Sequence, residues 1–519
     1  MLLLVLAVIL PANCVWSQPP NFTEEEAAYQ QALQYIEQHR KNNVTITVSD
    51  LAGRPLRNAN VSYMQTSHDF VFGVFGNGWG IPNEDDAAGW RLYCDLVTKI
   101  NATIVMTTWY FWAYTEPERG KFVWYSADMQ FQRIWNHCPA SRFIIVFANL
   151  NQEREQTPGW VGINRLNNET FFAEFKQDLY DYVSHVVKKY ASRVDYWVTE
   201  AELNLNTAMA FLWRNITKGI EIDLIEAHAI RDADPDARIL LMPGYITKGG
   251  EPAHEFAKRF LALDVNIDGF SIETYPDDYG GAYKHTPIFY KQVINELQAL
   301  GKPVFIMETG YPSQPCVPCD EKGGWIPWSR DEPTQAAWVK YMTGISYGTE
   351  GVIGITYYPV DILDPSGAVQ AFTNFGLLTR QGRAKQAYWT CLEQIQMFTT
   401  SGSETTDAQG RLSFRGFAGN YVITVTTAYG QKSETHIHVQ QLSNSTYAEQ
   451  QDFSITLAPQ PIINSTSAIT SRTTTASSQA VQIATAAIDV RPAILLGAIA
   501  VVGIAAAVSL AIQRKRRKR

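Results

Sequence analysis

The sequence predicts a (β/α)8 barrel, the TIM-barrel fold, with a small accessory β-sandwich beside it. Eight apolar runs of strand length alternate with helix-like runs between Asp69 and about Met397. Short strand-like runs with a period of two lie on both sides of that region. Strict alternation of eight strands and helices over this length is what a closed parallel barrel requires. An open doubly wound sheet is the alternative, but no glycine-rich phosphate loop follows any of the runs, which argues against nucleotide binding.

The eight predicted barrel strands are rich in apolar and β-branched residues, as is typical of strands that are buried on both faces. They are 70–75, 102–108, 143–150, 194–202, 238–245, 267–275, 303–307 and 351–358. The strongest helix-like runs between them are 171–190, 289–300 and 334–347. We therefore assign residues 68–400 to the barrel.

The accessory sandwich is predicted from strands at both ends of the barrel region. An amphipathic helix within 18–41 is followed by two strand-like runs, which predict a β-hairpin within 42–67. Further alternating runs, separated by glycine or polar turns, fall within 401–458. A short hairpin is unstable alone. We therefore expect the hairpin to join the C-terminal strands in one sandwich.

The two ends of the chain predict export and a membrane anchor. Residues 1–17 are typical of a signal peptide, although basic residues are missing at its start. A Ser/Thr-rich stalk over 459–492 leads to an apolar run over 493–512, long enough for a transmembrane helix, and to a basic tail over 513–519. Basic residues stay on the cytoplasmic side. We expect a single-pass glycoprotein with its bulk outside the cell, since Asn-x-Ser/Thr sequons are scattered through that part.

Composition and charge limit the classes of function. At 519 residues the chain is too long for one small domain, and its composition is that of an ordinary globular protein. The formal net charge is −8, with no basic face for nucleic acid. We therefore exclude nucleic acid as a partner, whereas the sequence does not determine the oligomeric state.

The chain has six cysteines, one of which falls in the predicted signal peptide. Cys94, Cys138 and Cys391 lie on predicted helices, and the sequence does not decide which of the other two pairs with Cys94. Cys316-Val-Pro-Cys319 predicts a small loop disulfide rather than a redox or zinc pair, because no second CxxC lies nearby.

Acids and aromatic residues fall where the predicted strands end, which is where reactive groups gather in such a barrel. Glu308 ends the seventh strand and is the strongest candidate, because burying an unpaired carboxylate costs several kcal/mol or more. Glu200 and Glu202 end the fourth strand, and strand alternation predicts that both face the same way. The other candidates at strand ends are Trp79, Trp109, Trp112, Asn149, Asn151, Asn204, Tyr245, Glu273, Tyr275, Tyr311, Tyr357, Tyr358 and Asp361. Carboxylates interleaved with aromatic rings suit a sugar polymer.

Four motifs of the barrel region point to a known family. They are His68-Asp-Phe-Val-Phe-Gly73, Glu116-Pro-Glu-Arg-Gly-Lys-Phe-Val-Trp124 with Asp128 after it, Thr157-Pro-Gly-Trp-Val161, and Phe375-Gly-Leu-Leu running on to Ala384-Lys-Gln-Ala-Tyr388. Through them, residues 69–396 resemble a divergent member of glycoside hydrolase family 10, the xylanases, in a clan of retaining (β/α)8 glycosidases. The resemblance implies hydrolysis of β-glycosidic bonds in a polysaccharide, with no metal or organic cofactor.

The resemblance also implies the catalytic residues. The acid/base of the family is the Glu of a Trp-x-x-x-Asn-Glu pattern, which here is Trp197-Val-Thr-Glu200-Ala-Glu202-Leu-Asn204. Counting from Trp197 makes Glu202 the acid/base, and aligning a neighbouring residue with the Asn makes Glu200 the alternative. Glu308 takes the place of the nucleophile. The expected substrate-binding residues are Trp109, Trp160, Asn204, Glu273, Tyr275, Tyr311 and Tyr358.

Several positions depart from the family pattern. Ala201 replaces the Asn before the acid/base, Glu273-Thr-Tyr275 replaces a Gln-x-His on the sixth strand, and Tyr358 replaces a Trp on the eighth. Two hypotheses therefore stand. In the first, Glu308 attacks the sugar with retention, Glu202 protonates the leaving oxygen, and Tyr275 or Tyr311 holds Glu308. In the second, the barrel is a catalytically inactive glycan-binding or structural surface protein, because fold alone does not establish function.

Overall fold

The computed structural model describes residues 21–76, 86–107, 111–139, 141–147, 150, 157–205, 215–244, 251–276, 285–315, 328–361, 374–441 and 450–457. The predicted signal peptide, stalk, transmembrane helix and basic tail all lie outside these residues. In the described part of the chain, no helix combines the length and the apolar character that a bilayer crossing demands.

The described strands, in chain order, are β1 (Lys41–Asp50), β2 (Asn60–Gln65), β3 (Val71–Phe75), β4 (Thr103–Thr107), β5 (Phe143–Val146), β6 (Val194–Val198), β7 (Ile239–Leu241), β8 (Gly269–Thr274), β9 (Val304–Thr309), β10 (Val352–Tyr357), β11 (Ser401–Thr405), β12 (Arg411–Phe417), β13 (Gly419–Thr426), β14 (Lys432–Val439) and β15 (Gln450–Leu457). The described α-helices are α1 (Thr23–Tyr35), α2 (Ala87–Lys99), α3 (Phe111–Thr115), α4 (Tyr125–His137), α5 (Glu169–Tyr190), α6 (Ile216–Ala233), α7 (Ala253–Leu261), α8 (Pro287–Gln298), α9 (Glu332–Tyr347) and α10 (Gln386–Met397).

Strands β3 to β10 form a closed barrel in sequence order, with β10 paired to β3. Every pairing between these strands is parallel, which confirms the predicted (β/α)8 barrel. The barrel interior is filled by a cluster of apolar side chains from several strands, including Val105, Val146, Val198, Leu240 and Phe305. A larger apolar cluster lies between the strands and the surrounding helices. The interior is therefore a packed core, and the loops at the carboxyl ends of the strands are left to form a site.

The observed barrel strands end earlier than several of the predicted runs. The fourth strand was expected to extend to residue 202, but β6 ends at Val198. Residues 200–204 form bends and turns. This difference matters because the side-chain alternation of a strand does not continue into a turn.

Two further sheets share one apolar core. A three-stranded sheet has the order β12-β1-β15, and a four-stranded sheet has the order β11-β2-β13-β14. Both sheets contribute to one cluster, in which the rings of Tyr63 and Phe414 stack with centroids 3.9 Å apart. Strands from the two ends of the described chain thus bury their apolar faces against each other.

The predicted β-hairpin within 42–67 is wrong. Strand β1 pairs with β12 and β15, whereas β2 pairs with β11 and β13. Each of the two strands buries every second side chain, as Ile46 and Val61 do, and the two strands do so from opposite sheets. The alternation identified the strands, but it did not specify their partners.

A buried arginine joins the segment after α1 to the barrel. Arg40 donates hydrogen bonds to the carbonyl oxygens of Tyr347 at 2.8 Å, Thr349 at 2.8 Å and Val352 at 2.9 Å. These carbonyls lie between the end of α9 and the start of β10. Because five guanidinium donors are fixed in one plane, a single Arg can satisfy several carbonyl oxygens of such a turn.

Cys94 on α2 forms a disulfide with Cys138 at the end of α4. Cys391 on α10 is buried and, among the described cysteines, is the free one. The structure thereby decides the pairing that the sequence left open. Cys316 and Cys319, with their predicted loop disulfide, lie outside the described residues.

Candidate active site

Two carboxyl groups lie side by side at the carboxyl ends of β8 and β9. Ile272 pairs with Ile306, and the register then shifts by one residue, so that Glu273 lies opposite Glu308. Both glutamates are 8% exposed. Phe270 and Ile272 pack in the outer apolar cluster, so alternation along β8 directs Glu273 toward the barrel interior.

Two tyrosine hydroxyls bind Glu308. Tyr275 donates a short hydrogen bond to Glu308 Oε2, and Tyr358 donates to the same oxygen at 2.7 Å. The two hydroxyl oxygens lie 2.7 Å from each other. Hydrogen bonds donated to a carboxylate favour its ionised form and fix its orientation. The pair therefore holds Glu308 in one position and favours its negative charge.

Neighbouring side chains fix both tyrosines. The ring of Tyr358 stacks on Phe75 with an interplanar angle of 4° and a centroid distance of 4.7 Å. The ring of Tyr275 stacks on Phe375 at 5.5 Å. Tyr290 of α8 donates to the Tyr275 carbonyl oxygen at 2.5 Å and accepts from the Tyr275 amide at 2.8 Å. This support is the kind of second layer that keeps reactive groups aligned.

A third carboxyl group, Glu202, lies in the turn after β6. Its backbone φ is +61°, a left-handed conformation that non-glycine residues rarely adopt. The amide of Glu202 donates to the Met242 carbonyl at 2.9 Å, and its carbonyl accepts from Leu205 at 2.9 Å. A Cβ atom at Gly244 would lie 2.7 Å from the Leu205 side chain and 3.3 Å from the Glu202 Cβ, so the absence of a side chain there leaves room for this turn. The strained turn therefore places Glu202 at the site.

The three carboxyl groups interact. Burial raises the pKa of Glu308 to about 7, with the Tyr275 and Tyr358 hydrogen bonds lowering it and the charge of Glu202 raising it. Burial raises the pKa of Glu273 well above its usual range, and the charges of Glu202 and Glu308 and a hydrogen bond with Glu202 raise it further. The site is therefore built to retain protons at neutral pH.

The prediction that residues 200 and 202 face the same way is wrong. Glu200 Oε1 accepts a hydrogen bond from the Leu150 amide at 2.9 Å, and Glu226 Oε2 accepts from the Glu200 amide at 2.5 Å. The charge of Glu200 also raises the pKa values of Glu226 and Asp223 on α6, after the larger effect of their burial. Glu200 therefore faces α6, whereas Glu202 contacts Glu273. The chain leaves β6 at Val198, so the strand period no longer applies.

Asn204 is not placed to bind a substrate. Its side-chain amide donates to the carbonyls of Gly244 at 2.7 Å and Glu251 at 2.8 Å, and its oxygen accepts from the Gly244 amide at 2.7 Å. The side chain is fully buried. Asn204 thus links the turn after β6 to the segments around Gly244 and Glu251, and its expected contact with sugar is corrected to a structural role.

Two other expected substrate-binding residues pack into the protein. Tyr311 was expected to bind substrate or to hold Glu308, but it donates to the Trp328 carbonyl at 2.9 Å and packs on Trp338. Trp160 donates to the Glu116 carbonyl at 2.9 Å and meets Trp112 edge to face. Of the tyrosines proposed to hold Glu308, Tyr275 does so.

The remaining candidates at strand ends fall into two groups. The hydroxyl of Tyr357 forms a hydrogen bond with that of Thr343, and Asp361 accepts a hydrogen bond from the buried Lys385 at 2.5 Å. Both contacts stabilise the protein outside the three-carboxyl site. The candidates that lie outside the described residues are Trp79, Trp109, Asn149, Asn151 and Tyr245. No cluster of three or more metal-binding side chains was found in the described ranges.

Sequence reasoning missed Phe75, Tyr290 and Phe375 as supports of the site. Phe75 ends the first barrel strand, and Phe375 belongs to a motif used for the family resemblance, so both carried a signal. Tyr290 lies on the buried face of α8, where the pattern indicated only core packing.

A protein-family model matches much of the barrel region. Residues 77–311 match the model of glycosyl hydrolase family 10. The curated relative "Anti-sigma-I factor RsgI6" of Acetivibrio thermocellus is 22% identical over 402 residues, which cover 76% of this chain. The match spans 46% of that relative, which is about half its length.

Solved structures with a similar fold include xylanase 10B of Thermotoga maritima, with 18% identity, a TM-score of 0.46, and coverage of 63% of this chain and 95% of that one. The GH10 xylanase of Bispora sp. MEY-1, solved with xylobiose, has 18% identity, a TM-score of 0.47, and coverage of 62% and 96%. The GH53 catalytic domain of Ignisphaera aggregans has 17% identity, a TM-score of 0.45, and coverage of 63% and 96%. With TM-scores below 0.5, these likenesses carry no argument about activity or substrate.

Proposed function

Residues 77–311 form a divergent glycosyl hydrolase family 10 region, and from this premise we propose that the protein is a retaining glycoside hydrolase. The observation that carries the proposal is the group of three buried carboxyls, with Glu308 held by two tyrosine hydroxyls and Glu202 bonded to Glu273. A retaining glycosidase needs one carboxylate as nucleophile and one carboxylic acid as proton donor. This site offers both kinds of group.

Glu308 is the proposed nucleophile. It must be ionised to attack the anomeric carbon, and the hydroxyls of Tyr275 and Tyr358 favour that state. The tyrosine pair therefore supports the charge state that the proposed nucleophile needs.

Glu202 is the proposed acid/base, and Glu200 is no longer the alternative because it faces α6. In the first step, the Glu202 proton moves to the leaving oxygen as the glycosidic bond breaks and Glu308 bonds to the sugar. In the second step, Glu202 takes a proton from the water whose oxygen displaces Glu308. The anomeric configuration is retained by two inversions.

We propose a β-linked polysaccharide as the substrate and an endo-β-1,4-xylanase-like activity. The support is the family match together with the aromatic rings of Tyr275 and Tyr358 beside the acids. Because Glu273, Tyr275 and Tyr358 replace other residues of the family pattern, the sugar is to be determined with a panel. We also propose that the enzyme acts at the cell surface, anchored by 493–512; protease accessibility of the ectodomain on intact cells tests that location.

A substrate panel and covalent trapping test the proposed activity. The full chain and its Glu308→Gln and Glu202→Gln variants are assayed on plant and microbial β-glycans and on dinitrophenyl β-glycosides. Glu24→Gln is the matched control, because Glu24 is exposed on α1. A 2-fluoro sugar is expected to label Glu308 in the wild type. Binding of a glycan without any cleavage by the wild type would favour the alternative of a glycan-binding surface protein.

A further inference from the structure

Glu273 interacts with both proposed catalytic carboxyls. It pairs in register with Glu308 on the neighbouring strand and forms a hydrogen bond with Glu202 from the turn after β6. A hydrogen bond between two carboxyl groups needs at least one proton, because an ionised carboxylate only accepts. One proton must therefore be shared between Glu273 and Glu202 whenever they are bonded.

The surroundings of Glu273 favour the proton on this residue. Among the described residues, the groups that interact electrostatically with Glu273 include Glu202, Glu308 and the hydroxyl of Tyr358, which all carry negative charge or none. Glu273 is 8% exposed, so water solvates its charge poorly. Its pKa is accordingly raised well above the usual range. By contrast, Glu308 receives two hydroxyl donors that stabilise its charge.

We propose that Glu273 stays protonated through the reaction and donates a hydrogen bond to Glu202 whenever Glu202 is ionised. This inference rests on the proposed function and adds to it a positioning residue that acts through Glu202. Without the Glu273 O–H donor, the ionised Glu202 carboxylate would lose a hydrogen bond that stabilises its negative charge. This positioning role differs from the substrate-binding role that the sequence analysis expected for Glu273.

The proton balance is closed. In the first step, Glu202 loses its proton to the leaving oxygen, and the O–H of Glu273 is donated to the new carboxylate. In the second step, Glu202 regains a proton from water, and Glu273 keeps its own. Glu273 therefore stabilises the Glu202 carboxylate by a hydrogen bond without a net proton transfer.

Two substitutions separate positioning from packing. Glu273→Gln keeps an N–H donor of similar size, whereas Glu273→Leu keeps the volume and removes the donor. We expect Glu273→Leu to lower kcat/KM roughly tenfold to hundredfold on substrates with poor leaving groups, and Glu273→Gln to recover part of that loss. Dinitrophenyl glycosides need little acid assistance, so we expect a smaller loss in their glycosylation step.

The pH profile provides the second readout. In the wild type, ionisation of Glu273 at high pH removes the donor and adds a negative charge, so kcat/KM falls. Glu273→Gln cannot ionise, and we expect its alkaline limb to move to higher pH. An unchanged alkaline limb, or equal losses for the Gln and Leu variants, would overturn the proposal.

An infrared measurement tests the proton without any turnover. The difference spectrum between wild type and Glu273→Gln at neutral pH is expected to contain the carbonyl stretch of one protonated carboxyl group. Glu226→Gln is the control, since Glu226 is a buried acid on α6 outside the site, and its band is expected to differ. Absence of the Glu273 band refutes the proposal even in an inactive protein, whereas absence of hydrolysis with the band present refutes only the proposed function.

Discussion

The Tyr358 hydroxyl lies 2.7 Å from Glu308 Oε2 and bonds the carboxylate through a ring that stacks on Phe75. Glu308 therefore has a donor with little freedom to turn away. This contact links the electrostatics of the site to the packing of the first barrel strand. The pH dependence of the proposed reaction follows from it.

Tyr358→Phe is expected to move the acidic limb of kcat/KM to higher pH. Glu308 must be ionised to react, and its pKa of about 7 predicts a rate that rises with pH through that value. Loss of one donor raises the pKa further, and we expect activity at pH 6 to fall about tenfold. Initial rates on an activated aryl glycoside between pH 4 and 9 measure the shift.

Tyr357→Phe is the matched control for that experiment. The hydroxyl of Tyr357 bonds to Thr343, not to Glu308. Its loss is expected to affect stability but not the position of the acidic limb. If both variants shift the limb equally, the direct effect on Glu308 is refuted.

Glu226→Gln is expected to stabilise the protein increasingly as the pH rises. Burial and the charge of Glu200 raise the folded-state pKa of Glu226, so the native state binds a proton that the unfolded chain releases. Wild-type stability therefore falls as the pH rises above the unfolded value of about 4.3, until the folded pKa is reached. Between pH 5 and 8, we expect the free energy of unfolding to change in favour of the variant by at least about 1 kcal/mol. Urea unfolding of both proteins at pH 5 and pH 8 measures this change. If the difference in unfolding free energy between them is the same at both pH values, the raised pKa of Glu226 is contradicted.

Asn204→Ala is expected to lower the free energy of unfolding by roughly 2–4 kcal/mol, because buried backbone groups at Gly244 and Glu251 lose their partner. Asn204→Asp, which when protonated keeps the acceptor and one O–H donor, should lie between wild type and Ala at low pH. A variant with normal stability and a raised KM would restore the substrate-binding role.

Replacing Cys94 and Cys138 together by Ser is expected to cost about 2–4 kcal/mol of stability under oxidising conditions. Cys391→Ser is the comparison, because Cys391 is buried without a disulfide. Denaturant unfolding with and without reductant measures the effect. A reductant-sensitive midpoint in the double variant would point to another disulfide.

The sequence was sufficient for the barrel and for the identity of Glu202, Glu273 and Glu308 as acids at strand ends. The alternation of apolar and helix-like runs allowed eight strands to be counted, and the lack of a glycine-rich phosphate loop favoured the closed barrel over the open sheet. The direction of Glu200 could not be predicted, because it depends on where β6 ends and on the positive φ of Glu202. The strands that pair with β1 and the cysteine that pairs with Cys94 could not be predicted for a related reason. Local sequence patterns specify which side chains are buried but not which distant segment they contact.

The parallel pairing of β1 with β15 sets an order for biosynthesis. Val44 lies opposite Gln451, so the first strand leaves the ribosome long before its neighbour exists. At 5–20 residues per second, this interval is roughly 20 to 80 s. The barrel therefore has time to fold before β15 is made. During that interval, the edge of β1 that later pairs with β15 has to be kept from pairing with other chains.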